Sequence, residues 1–95
     1  MHLMTPEDFE PWVGRAVRVS TVPEPVELIL ARIVRHKVLP GDFREPFTLF
    51  FESPMDVSLI DETYEFDCGR GGPYSISISQ KQPLPGRRLY EAFFN

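Results

Sequence analysis

The chain has 95 residues, 42% hydrophobic and 25% charged, with a net charge of −4, which is room for one domain over residues 1–95 and not two. The acidic balance excludes a general phosphate-backbone binder, which needs a strong basic face, and the single cysteine, Cys68, excludes an internal disulfide and with it the small disulfide-stapled class. Ten prolines exclude long helices, while eight Phe, three Tyr and one Trp favour strands and large packing area per residue.

In chain order, Thr5-Pro6-Glu7-Asp8 reads as a helix start: a capping residue, a proline suited to the first turn, and acids at the positive dipole end. Pro11 limits this helix to one or two turns before Gly14, with Phe9, Trp12 and Val13 on one face. Arg15 to Val22 alternates as a strand and ends at Val22-Pro23-Glu24-Pro25. Val26 to Lys37 is expected to be the longest strand. Leu28, Leu30 and Val34 share one face with Arg32, and Ile29, Ala31 and Ile33 share the other. Apolar residues on both faces place it centrally or bend it between layers.

Leu39-Pro40-Gly41-Asp42 reads as a turn, and Phe47 to Glu52 as a Phe-rich strand stopped by Ser53-Pro54. A connection over residues 54–61 is expected to tuck Leu59 and Ile60 inward. Thr63 to Cys68 sets Tyr64, Phe66 and Cys68 against Glu65 and Asp67. The loop Gly69-Arg70-Gly71-Gly72-Pro73 leads to Tyr74 to Gln80, where Tyr74, Ile76 and Ile78 face in and Ser75, Ser77 and Ser79 face out. Pro83-Leu84-Pro85-Gly86 is a turn before the last strand, Leu89 to Phe94. The expected fold is mostly β: a small antiparallel β-barrel or two-layer sandwich of about six strands with one short N-terminal helix.

Catalytic groups are sparse. Of the two histidines, His2 lies at the chain start and His36 sits between Arg35 and Lys37, where positive neighbours oppose its protonation. There is no Gly-x-Ser-x-Gly elbow, and the three Cys and His residues at positions 2, 36 and 68 lack the close pairing of zinc ligands, so no catalytic residue, metal or cofactor is expected. Cys68 reads as an inert thiol among inward-facing aromatics. In the glycine-rich loop, Arg70 is a candidate anion contact, against the alternative of a plain hairpin loop. Arg35, Lys37, Arg44, Arg87 and Arg88 are candidates for a basic cluster, blunted by Asp42, Glu45 and Glu91. Surplus rings mark a candidate protein interface: Phe43 beside a turn and Phe93 out of phase with Tyr90, Ala92 and Phe94, together with Trp12 and Arg44. No run approaches 18 apolar residues, so no membrane partner is expected. The opening lacks a basic stretch followed by an apolar one, so the expected location is the cytoplasm.

Three phrases together resemble a family of small bacterial proteins known as a domain of unknown function, DUF6916: Phe9 to Val19 with Trp12-Val13-Gly14, the strand from Arg44 to Phe51, and the ending from Gly86 to Asn95. The resemblance spans nearly the whole chain and departs from the pattern around Cys68 to Pro73. It implies a structural or assembly role near phage-tail-like proteins. The expected function is a non-catalytic protein-interaction or assembly module with a protein partner, working by strand addition or by patch burial; a homo-oligomer is one form of it. A small-molecule-binding barrel is the alternative, and a hydrolase comes last.

Overall fold

The computed structural model describes residues 4–38, 40–41 and 45–95. After a short helix α1 (Pro6–Phe9) and a 3-10 turn (Glu10–Trp12) come six strands: β1 (Ala16–Val19), β2 (Val26–Arg35), β3 (Phe47–Pro54), β4 (Glu62–Asp67), β5 (Tyr74–Leu84) and β6 (Arg87–Phe94). They close into a barrel in the order β1-β2-β3-β6-β5-β4, with every neighbouring pair antiparallel. Two three-stranded meanders are thus joined along a long seam, β3 with β6 from Phe47↔Phe94 to Pro54↔Arg87. The second seam is short: β1 meets β4 at Arg18↔Asp67 and Val19↔Phe66. Of the two architectures expected, the closed barrel is the one formed.

Alternation fills the interior. Val17, Val19, Leu28, Leu30, Leu49, Phe51, Phe66, Ile76, Tyr90 and Ala92 are buried, and no described buried side-chain nitrogen or oxygen lacks a partner. Strand β2 departs from simple alternation. Its ladder with β3 shifts between Leu30↔Phe51 and Arg32↔Phe50, so Ala31 is an extra residue, a β-bulge. Beyond the bulge Ile33 packs on the core beside Leu28 and Leu30, while Arg32 lies outside with its guanidinium 4.3 Å above the Phe50 ring. The sequence reading that set Arg32 and Val34 on the face of Leu28 and Leu30 is corrected by this one residue. Burying an unpaired guanidinium costs several kcal/mol, and the bulge avoids it.

Two plugs shut the barrel ends. At the start of β3, Phe9 and Trp12 are fully buried; Phe9 lies 5.2 Å from Trp12, 5.3 Å from Tyr74 and 5.5 Å from Phe94, and Phe47 stacks on Phe94 at 4.6 Å. The helix start is braced by the Asp8 carboxylate, which accepts from the Thr5 backbone N–H at 2.8 Å. Arg35 at the end of β2 ties the plug down through Glu7 and Glu10 at 2.7 Å each and Glu45 at 3.0 Å. At the other end of β3, residues 55–61 fold over the opening. Leu59 goes inward as expected, but Ile60 is exposed and its carbonyl accepts from the Tyr64 hydroxyl, which corrects the expectation that both tuck in. The backbone is held from inside by Tyr90, whose hydroxyl accepts from Leu59 N–H at 3.2 Å and donates to the Val57 carbonyl at 3.3 Å.

The longest strand is β5, with 11 residues against 10 in β2. It runs on through Pro83 and Leu84, so the last turn is only Pro85-Gly86. There Pro85 fixes its own φ and Gly86 takes φ +78°, which a type II turn requires.

Candidate interaction surface

The alternation that fills the barrel also writes its outer surface. On β3, Leu49, Phe51 and Ser53 fill the core and the half-buried Phe50 and Glu52 point out; Thr48 has the outward phase but is buried, its hydroxyl bonded to His36. On β6, Tyr90 and Ala92 are buried, so Leu89, Glu91 and Phe93 point out. On β2 the outward set is Ile29, then Arg32 and Val34 beyond the bulge. Pairing lays these residues in rows across three strands: Val34, Thr48, Phe93; Arg32, Phe50, Glu91; and Ile29, Glu52, Leu89. Phe93 is 59% exposed and Ile29 46%.

The opposite side of the barrel is built by the same rule from different residues. There β4 and β5 turn out Thr63, Glu65, Asp67, Ser75, Ser77 and Ser79, with Thr63 and Ser77 hydroxyls bonded to each other. Arg18 on β1 stands between Glu27 of β2 and Asp67 of β4. One side is solvated in the ordinary way, and the other carries rings and aliphatic chains.

Charges on the apolar side are mostly paired. Glu52 binds Arg87 at 3.0 Å, and Glu91 approaches Lys81 at 3.8 Å. Among the described residues no carboxylate pairs with Arg32, which lies on Phe50 instead. His36 borders the patch: its Nε2 and Thr48 Oγ1 lie 2.7 Å apart in a hydrogen bond, and its ring lies 5.8 Å from that of Phe93. The exposed ring is therefore presented on a rigid strand against a second ring. Where β2 parts from β3 beyond Ile29↔Glu52, a shallow recess of about 300 Å³ opens, lined by Ile29, Glu52, Ser53, Pro54 and Arg87.

Of the interface residues expected from sequence, the structure places Phe93 on this side. Phe43 and Arg44 lie outside the described residues, as do His2, Leu39 and Asp42. Trp12 is corrected: it is fully buried in the plug, and its indole N–H donates to the Arg70 carbonyl at 2.9 Å. That bond uses the Arg70 backbone to seal the plug. The neighbouring Gly69 N–H donates to the Asp67 carboxylate at 2.9 Å, so an acid of the chain itself already fills the start of the expected anion cradle. Of the expected basic cluster, Arg35 is held by three carboxylates, Arg87 by Glu52, and Arg88 donates to the Met55 carbonyl. Sequence reading missed Ile29, Phe50 and Leu89. The signal that marks them is an outward phase on three strands, visible once those strands are known to be neighbours.

Residues 4–94 match the family described as a domain of unknown function, DUF6916. The chain belongs to that family. For this DUF6916 member, no match was found among curated proteins or solved structures. Among its described residues no helix is long and apolar enough to cross a membrane, and no group of three or more His, Cys, Asp and Glu is placed to hold a metal ion.

Proposed function

We propose that this chain is a non-catalytic protein-interaction or assembly module whose docking surface is the outer side of β2, β3 and β6. The observation that carries the reading is the contrast between the two sides of one barrel. Ser, Thr and Glu face out on β4 and β5, while Ile29, Phe50, Leu89 and Phe93 face out on the other side. Water contact gives no reason for an exposed Phe93 ring and an outward Phe50 ring on one side only, whereas a protein partner does. Patch burial is favoured over strand addition because barrel closure leaves few free edges. Where β2 and β3 part, Pro54 ends β3 and Pro25 precedes β2, and neither has an N–H to offer an incoming strand. A rigid barrel with one adhesive side suits assembly into a larger structure, tail-like or otherwise, and the free thiol of Cys68 fits a reducing compartment such as the bacterial cytoplasm.

The test is site-specific photo-crosslinking in the native host, with the reactive residue at Phe93 in one strain and at Ser77 in another. The expected result is discrete protein adducts from position 93 and none from 77. Equal labelling at both positions, or none at either, overturns the reading.

A further inference from the structure

The outer side of β2, β3 and β6 is complementary to itself. Its rows are centred on β3, with β2 on one flank and β6 on the other. Two copies laid face to face about a two-fold axis parallel to β3 exchange left and right, so the β2 column of each faces the β6 column of the other. Arg32 then meets Glu91 of the second copy, twice in the dimer. Val34 meets Phe93 of the second copy, and Ile29 meets its Leu89. In the central column Phe50 meets its own counterpart, while Thr48 is already buried within each copy. Glu52 also meets its counterpart, with its charge already offset by Arg87 of the same copy at 3.0 Å.

We propose that the chain forms a two-fold symmetric dimer through this side. The inference rests on the docking surface argued above and names its occupant as a second copy. Four observations support that occupant. The β2 column of each copy matches the β6 column of the other, apolar with apolar and cation with carboxylate, under a single operation, which is what an isologous interface requires. Among the described residues Arg32 pairs with no carboxylate and Glu91 has one long 3.8 Å ion pair, to Lys81, so each gains a partner in the dimer. The acidic residues Glu65 and Asp67 lie on β4, across the barrel, so part of the net charge of −4 is held away from this approach. The molecule is also elongated, measuring 42 × 28 × 22 Å, so its sides are larger than its ends. A standard interface takes about 800 Å² from each partner, a modest share of the 6100 Å² surface. Sheets packing face to face about 10 Å apart tolerate a crossing near 30°, which accommodates strand twist.

Sedimentation equilibrium from about 10 µM to 1 mM tests the dimer; association on the order of 10–100 µM is expected, the weak end for an interface of this size. The mass should rise from 11.0 kDa towards twice that value. Arg32→Glu and Glu91→Arg should each weaken self-association at least tenfold, because like charges then face each other twice. An equal mixture of the two variants should associate as tightly as the unaltered protein, since a carboxylate again faces a guanidinium at both places. This rescue also shows that the variants are folded. An unaltered protein that stays at 11.0 kDa throughout, or a mixture no tighter than either variant alone, overturns the dimer. Crosslinks from position 93 to a different protein, with no self-association, overturn the dimer and leave the docking surface standing; loss of both removes both.

Discussion

Replacing Tyr90 by Phe removes one oxygen from the far plug and leaves the ring in place. In the native barrel that oxygen accepts from Leu59 N–H at 3.2 Å and donates to the Val57 carbonyl at 3.3 Å. The Val57 carbonyl keeps a second donor within reach, Ser53 Oγ at 3.3 Å, so its loss is partly made good. Among the described residues no second acceptor is placed for Leu59 N–H, and Leu59 is buried. An orphaned buried donor costs about 1–3 kcal/mol, against 0.5–1.5 for an ordinary lost bond. The expected loss is therefore about 2 kcal/mol, which for a chain of this length lowers Tm by roughly 10 °C. Urea unfolding should show a lower midpoint with an unchanged slope, because the surface exposed on unfolding is the same. Amide exchange should accelerate most at Leu59 and its loop neighbours. If the midpoint holds and Leu59 exchange is unaltered, the hydroxyl does not anchor residues 55–61 and the description of the plug is wrong.

Deleting Ala31 should leave the barrel folded, because Leu30, Arg32 and Ile33 then alternate without the bulge and keep their faces. Deleting Phe50 should abolish folding, because it turns Phe51 out and Glu52 in; circular dichroism and amide dispersion distinguish the two, and equal behaviour would refute the bulge assignment. Arg35 holds the Glu7 carboxyl below its ordinary value of 4.5 chiefly through their hydrogen bond. A depressed carboxylate contributes stability that is present above its unfolded value and lost as pH falls through its folded one. The stability gap between the native chain and Arg35→Gln should thus be full above pH 4.5 and close below it; a gap constant from pH 7 to pH 2 would show that the ion pairs contribute nothing.

Much of the architecture was legible because it rests on short-range chemistry. The Ser-Ile-Ser-Ile rhythm of β5 has one reading as a half-buried strand, and Ile76 and Ile78 are buried accordingly. Pro6 and Pro11 bound the helix to a turn of α1 and a 3-10 turn. The errors fall where a residue's environment depends on a distant one. Trp12 reads as a spare aromatic until its acceptor, the Arg70 carbonyl, arrives from 58 residues away. Ile60 and Leu59 are indistinguishable by type, and Tyr90 decides which of them turns in.

From its sequence alone the chain is one mostly β domain with known turns and an alternating in-out phase on most strands, because those features depend on neighbours within a few residues. Closure of the barrel, the bulge at Ala31 and the adjacency of β3 to β6 came only with the tertiary structure. Alternation says which side chains leave the core, but not which strand stands beside which. The apolar side exists because the outward residues of β2, β3 and β6 come from separate parts of the chain and become one surface only when long-range pairing brings them together.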